Sequence, residues 1–178
     1  KYNAYNMLAA VAACAAAGIA PEESVAALKT FRSTSRRCEY IGEKKNVQYY
    51  DDYAHHPSEV SRIIHAMKEW YPNQKLVVGF QSHTFSRTKQ FFQEFVDSFS
   101  EANEVVMIDI FPSAREAFDP TITSDMLCNE IMKKFPTILA QNVKTVENLI
   151  TYCTHHLHAG DVFITLGAGD IYSIHSAL

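Results

Sequence analysis

The chain has no excess of positive charge. Its 16 Lys and Arg are outnumbered by 20 Asp and Glu, for a formal net charge of −4. A general nucleic-acid binder carries a basic surplus, so the balance argues against nucleic acid as a partner. A local basic pocket for a small anion stays open. Cysteine pairs are missing as well. Cys14, Cys38, Cys128 and Cys153 form no CxxC, and none stands at zinc-like spacing from a histidine. The expectation is reduced, partly buried thiols in a reducing cytoplasm. Long hydrophobic runs are absent. The longest, MLAAVAACAAAGIA, is alanine-rich and about 14 residues long, too short to span a bilayer, and no basic stretch precedes it. It reads as a buried helix rather than a membrane anchor or signal peptide. Neither a phosphate loop of the GxxxxGK[ST] type nor a GxGxxG fingerprint occurs. The chain by itself is therefore not expected to hydrolyse ATP. No internal repeat is visible. The first residue is Lys1 rather than Met, which suggests a piece of a longer protein.

What is present is an ordinary globular composition. Of 178 residues, 47% are hydrophobic and 20% charged, enough for one domain or one domain plus part of another. Residues 3–17 have high helix propensity and end at Gly18. Pro21-Glu22-Glu23 opens a second helix running to about Thr30, because proline fits the first turn and acids suit the positive end of the dipole. The polar, basic stretch FRSTSRR marks a boundary, placed between residues 33 and 34. Ahead of it lies a helical hairpin with no sheet of its own to pack on.

After the boundary the pattern changes. CEYIGE and VQYYDD are β-rich, with a turn over residues 42–46. Pro57 starts a helix to Trp70. KLVVGF is a continuous apolar run, as in a strand buried on both faces. Residues 86–100 repeat apolar side chains at helical spacing. EVVMIDI, TILA and DVFITL read as further strands, helices are expected over 124–134 and 144–157, and a short helix closes the chain. Strands alternating with helices predict an α/β fold: a Rossmann-like, mostly parallel sheet with helices on both faces.

In an open parallel sheet, ligands bind beyond the carboxyl ends of the strands. Four such ends are unusually polar: DDYAHHP, QSHTFSRT, FPSARE and GAGD. Their convergence on one edge is the main functional signal. Each has a plainer reading. His56 before Pro57 could cap a helix, and Tyr53 could belong to the core. Only one of Asp51 and Asp52 can face the cleft if the strand stays extended, leaving the other structural. Arg87 in the first turn of a helix opposes the dipole, which favours a bound anion. Lys89 reads as solvated surface. GAG is either an anion cradle or a tight turn. Arg36-Arg37 is either a solvated pair or a phosphate clamp. His155, His156 and His158 read as a surface helix end, and no metal site is expected.

Together, KYNAYNMLAAVAAC, SRRCEYIG, DDYAHHPSEV, FQSHTFSRT and LGAGDIY resemble, in order and spacing, the Mur ligases of peptidoglycan synthesis. The resemblance covers essentially the whole chain. It is strongest to the branch that adds L-alanine to UDP-N-acetylmuramate. It is weaker to the branch that recycles a tripeptide, and DDYAHHP argues against the folate-adding relatives. It implies that residues 1–33 are the last helices of a central ATP-binding domain and 34–178 a C-terminal Rossmann-like domain. It implies a cytoplasmic ligase acting through an acyl phosphate, with ATP and Mg2+ held mainly elsewhere in the full-length protein. Asn3 and Asn6 would contact adenine, Arg37 the ATP phosphates, and Asp52 the ribose or its surroundings. Tyr53, His55, His83 and Arg87 would line the L-alanine site, with Arg37, His55 and His83 closest to the chemistry. The sequence departs from the family pattern at Tyr2, Ser33, Ser82 and Thr84.

Overall fold

In a computed structural model, residues 2–31 and 34–177 are described; Ser33 lies outside them, as do the side chains of Tyr2 and Asn3. The chain divides into two compact units, residues 1–34 and 35–178.

The first unit is the hairpin of α1 (Tyr2–Ala16) and α2 (Pro21–Leu28). Gly18 makes the connection at φ +86, a conformation that costs glycine little. Alanine-rich α1 was expected to be buried, and it is not. Tyr5 is 66% and Leu8 64% exposed. Two short helices shield little between them: Val11, Cys14 and Leu28 are only half-buried.

The second unit is a six-stranded sheet of order β1-β2-β6-β3-β4-β5. The strands are β1 (Glu39–Lys44), β2 (Val47–Asp52), β3 (Leu76–Phe80), β4 (Glu104–Ile108), β5 (Leu139–Lys144) and β6 (Val162–Leu166). The pairs β2–β6, β6–β3, β3–β4 and β4–β5 are parallel, and edge strand β1 is antiparallel to β2. The β1–β2 turn is tighter than expected. Lys45 and Asn46 alone make it, at φ +53 and +60, while Gly42 stays in β1 at a bulge.

Alternation along each strand feeds two cores. Val78, Phe80, Met107, Ile164 and Leu166 pack under α3 (Pro57–Trp70), α5 (Phe92–Ser98) and α6 (Ser124–Lys134). Val77, Val106, Ile108 and Phe163 pack under α7 (Val146–His156) and a terminal 3-10 helix, Ile171–Ser176. Gly79 has no side chain because a Cβ there would meet the Phe163 ring at 3.0 Å. Helices thus cover both faces, as the strand–helix alternation predicts.

Two elements differ from expectation. The helix expected over 86–100 is two, α4 (Phe85–Gln90) and α5, broken at Phe91 (φ −109, ψ 30). The Phe91 ring meets the His56 ring edge-on at 4.9 Å. Apolar spacing is the same on both sides of a one-residue break, so periodicity does not register it. Strand β5 continues through QNVK beyond the expected TILA. Those residues are largely exposed on a sheet edge, so hydrophobicity gives no signal there.

Candidate active site

Because β2, β3, β4 and β6 are parallel, their carboxyl ends and the four polar loops lie along one edge. Main-chain hydrogen bonds weld the loops together. Gly167 N–H donates to Asp52 O (3.3 Å), Gln81 N–H to Leu166 O (3.0 Å) and Phe111 N–H to Ser82 O (2.9 Å). The Gln81 side chain spans the gap, donating to Asp170 (2.9 Å) and accepting from Ile171 N–H (3.1 Å).

The GAG stretch is a packing device. A Cβ on Gly167 would lie 2.6 Å from the Gln81 carbonyl oxygen, and one on Gly169 would strike the Gln81 amide and Phe111. Its Gly167 carbonyl is already taken by Arg36 (2.6 Å). This favours the tight-turn reading over an anion cradle.

Neither acid of DDYAHHP has a free carboxylate at the cleft. Asp51, 1% exposed, pairs with Arg36 Nε at 2.9 Å and accepts from Thr165 Oγ1 at 2.5 Å. Asp52, 9% exposed, accepts the N–H groups of Cys38 and Ala54, both at 2.7 Å. Burial raises its pKa, and those two amides and nearby Arg37 pull it back. These two bonds engage the carboxylate expected to face the ribose or its surroundings. Asp52 secures the backbone of its own loop and of the Arg37 segment. That segment needs anchoring, since Arg36 and Cys38 both sit at positive φ, +57 and +47. Non-glycine residues there cost about 1 kcal/mol or more, sustained by the surrounding bonds.

The exposed and half-buried groups form an arc. Arg37 is exposed, and its guanidinium carbon lies 5.8 Å from the Tyr53 ring centroid. Tyr53, 37% exposed, meets His55 edge-on at 5.2 Å. His55 Nδ1 is 3.0 Å from Tyr53 O and 3.5 Å from Glu59. His83 comes next. Its pKa is lowered by burial first, then by the charges of Arg87 and His55, with Glu116 opposing. Arg87 Nη1 donates to His83 O at 2.5 Å. Tyr53, His55, His83 and Arg87 are thus brought together from two loops, with Arg37 beyond Tyr53. Asn6 is on exposed α1 in the first unit.

The plainer readings sort cleanly. His56 is the N-cap residue of α3, and Glu59 accepts from the N–H groups of His55 and His56, each at 3.1 Å. Lys89 is exposed, as expected, and pairs with Asp119 on the surface at 3.0 Å. His156 stacks on Tyr152 at 4.4 Å. Arg87 opposes no long dipole, since α4 has six residues and Glu116 caps its start through Phe85 N–H (2.8 Å) and Ser86 N–H (2.7 Å). Ser82 is buried and its hydroxyl meets Thr88 Oγ1 at 2.5 Å, while Thr84 meets Ser86 Oγ at 3.0 Å.

Sequence reasoning missed Glu116, Gln81, Thr165 and His175 as organisers of the edge. Glu116 lay in a loop already marked as polar, but its partners are 30 residues away. Burial pushes the thiols of Cys38, Cys128 and Cys153 up to about 12, so all three stay protonated at neutral pH. Among the described residues no group of three or more His, Cys, Asp or Glu could hold a metal. With both aspartates already engaged, the residues present do not fit Mg2+.

The chemistry available is that of cations and neutral imidazole. Guanidinium groups at either end of the arc suit two anions, and His83 between them is uncharged at neutral pH. Its Nδ1 is buried without a hydrogen-bond partner, as is that of His175. His175 Nε2 meets Thr165 Oγ1 at 2.7 Å, behind Asp51. Burial lowers the His175 pKa below 6.5, with Asp51 and Glu39 opposing and Arg36 assisting. A lowered histidine value means the unfolded chain binds the proton first. The stability contribution is whole above about pH 6.5 and is lost as pH falls through the window down to the folded value. His175→Gln should therefore flatten the acid limb of Tm against pH below about 6.5. A variant profile parallel to the wild type would remove His175 from the titration.

Comparison with known proteins assigns the chain to a family. The sequence profile of the Mur ligase, glutamate ligase domain matches residues 36–169. The UDP-N-acetylmuramate–L-alanine ligase of Clostridium kluyveri is 38% identical over 174 residues, covering 98% of this chain and 37% of that protein. The ligase of the same name from Desulfitobacterium hafniense is 39% identical over 178 residues, 100% of this chain and 39% of that one. The chain thus spans well under half the length of these relatives. Among solved structures, the UDP-N-acetylmuramate–alanine ligase of Thermotoga maritima superposes with a TM-score of 0.76 at 26% identity, over 99% of this chain and 36% of that one. A murein peptide ligase from Psychrobacter arcticus shares the fold at TM-score 0.73 and 22% identity, over 99% of this chain and 36% of that one. With the family profile running from the Arg36 segment through the GAG loop, the chain belongs to the Mur ligase family.

Proposed function

We propose that the full-length protein is an ATP-dependent ligase joining L-alanine to UDP-N-acetylmuramate, and that residues 34–178 are the domain that receives the amino acid. Residues 1–33 are then the last helices of the central ATP-binding domain, whose remainder covers the exposed face of α1. The observation that carries the reading is the pairing of Arg87 with an uncharged His83 beside Tyr53 and His55. A free amino acid offers one carboxylate and one amine within two bonds of each other. A guanidinium next to a neutral imidazole suits that pair. The names of relatives 38–39% identical to the chain point the same way.

In this mechanism the muramoyl carboxylate is phosphorylated by ATP elsewhere in the full-length protein. Arg87 holds the L-alanine carboxylate, and Tyr53 and His55 bound the space around its methyl group. His83 accepts a proton from the ammonium, freeing the lone pair. The amine attacks the acyl carbon, a C–N bond forms, the C–O bond to phosphate breaks, and inorganic phosphate leaves, taking the second proton that the new amide nitrogen must shed. Arg37 offsets charge on the phosphates at the far end of the arc. Asp52 fixes the backbone of its own loop, and Asn3 and Asn6 are the residues proposed to contact adenine. Closure of this domain over the ATP-binding domain brings the two halves together. Both substrates are cytoplasmic metabolites, which places the reaction there. Among the described residues no helix is long and apolar enough to cross a membrane.

The test uses full-length protein with ATP, Mg2+ and UDP-N-acetylmuramate. Phosphate release is compared for L-alanine, L-serine, glycine and the L-Ala-D-Glu-diaminopimelate tripeptide. L-Alanine should give the highest kcat/KM, and the 1–178 chain alone should release none. Preference for the tripeptide would reassign the protein to peptide recycling. ATP or sugar-nucleotide binding with no turnover for any acceptor would leave a binding module.

A further inference from the structure

We propose that Arg36 is a positioning residue for the amino-acid site: it locks the Tyr53–His55 loop to the loop after β6 and sets the orientation of the Tyr53 ring. Adjacent arginines look interchangeable in sequence, yet Arg36 is fully committed within the fold. Its N–H donates to Glu39 at 2.6 Å and its carbonyl accepts from Tyr53 N–H at 2.9 Å. Nε donates to Asp51 at 2.9 Å and Nη2 to Gly167 O at 2.6 Å. The guanidinium lies over two rings, with its carbon 5.0 Å from the Tyr53 centroid and 4.4 Å from that of Tyr172. Asp51 is held from behind by Thr165, which His175 also contacts.

A planar cation suits this position. Its edge satisfies an acid and a carbonyl while its π-system contacts two aromatic rings, which an ammonium cannot reproduce. With its fork bonded to Asp51 and Gly167 and its carbon over two rings, Arg36 is a strut. Tyr53 receives two constraints from Arg36, one on its backbone N–H and one on its ring. The ring then meets His55. Arg36 thereby transmits the position of the β6 loop to the groups around the amino acid. The inference rests on the reading of Tyr53 and His55 as amino-acid contacts.

The test compares wild-type full-length protein with Arg36→Lys, Tyr172→Ala and Tyr172→Phe. Tyr172 is 48% exposed, so its truncation removes one of the two ring contacts and leaves the Asp51 pair intact. Arg36→Lys should raise the L-alanine KM roughly tenfold, a usual cost of a small misplacement, with the ATP KM unchanged. Tyr172→Ala should shift the same parameter in the same direction by less, and Tyr172→Phe should behave as wild type. Deuterium uptake in peptides covering 49–57 and 165–172 should rise in Arg36→Lys and Tyr172→Ala. If Arg36→Lys does not fold, the Tyr172 pair decides. Unchanged uptake and L-alanine KM in Tyr172→Ala would overturn the proposal. So would equal increases in both KM values, which mark a general structural loss. A wild-type protein with no L-alanine-dependent turnover would fail the functional reading, while the uptake measurement would still judge the loop coupling.

Discussion

Replacing Arg87 with alanine raises the L-alanine KM of the full-length protein about a hundredfold and leaves the ATP KM within about twofold, the expected result of losing one charge-assisted partner worth about 3 kcal/mol at roughly tenfold per 1.4 kcal/mol. Arg87 sits beside His83, and its Nη1 reaches the His83 carbonyl at 2.5 Å. That bond uses one donor of a guanidinium that has five, leaving a fork for a carboxylate. Arg87→Lys should recover part of the loss, since an ammonium keeps the charge and gives up the bidentate geometry. Steady-state kinetics with each substrate varied in turn, and Tm measured alongside, separate binding from folding. Equal effects on both KM values would eliminate the carboxylate role. They would mean that Arg87 serves only to tie α4 to the turn that precedes it.

The second large effect concerns Gly167. Gly167→Ala should destabilise the 1–178 chain by about 3 kcal/mol, combining strained backbone with forced overpacking. That corresponds to a fall in Tm of about 6–12 °C for a chain of this size. The residue lies at φ +147, and an added Cβ would stand 2.6 Å from the carbonyl oxygen of Gln81. The obstacle is backbone and cannot step aside, because Gln81 N–H is bonded to Leu166 O and its side chain to Asp170 and Ile171. Gly160→Ala is the control. It also has positive φ, +95, but nothing lies within 4 Å of its added Cβ. It should cost about 1 kcal/mol from strain alone. Urea unfolding followed through Trp70, in the same unit, reads both. Equal losses in the two variants would show that the close approach to Gln81 contributes nothing.

The value of Gly167 shows why part of the site could be read in advance and part could not. The glycines were visible, and their place after a strand marked them as part of the ligand-binding edge. Whether they cradle an anion or make room for a neighbour depends on Gln81, which is 86 positions earlier and carries no mark of its own. Arg36 and Arg37 divide the same way. Adjacent in sequence and chemically identical, they take different roles because Asp51, Gly167, Tyr53 and Tyr172 all converge on one of them. Alternation in VQYYDD suggested that one aspartate would face the cleft. Both are buried and engaged instead, since the sheet end is closed by Arg36 on one side and the Cys38 turn on the other.

By itself the sequence determined the α/β class, the near-parallel sheet and the four polar strand ends. These follow from local pattern: hydrophobic runs at strand length, apolar spacing at helical period, and polar residues where a strand must leave the core. The absence of a phosphate loop likewise needed no structure. Tertiary structure alone decided which members of each polar cluster face outward and which hold the loops. It also decided that α1 stays largely exposed, that α4 and α5 separate at Phe91, and that Glu116 caps a helix from 30 residues away. Such outcomes depend on pairs distant in sequence, whose burial and hydrogen bonding exist only once the sheet has brought their strand ends together.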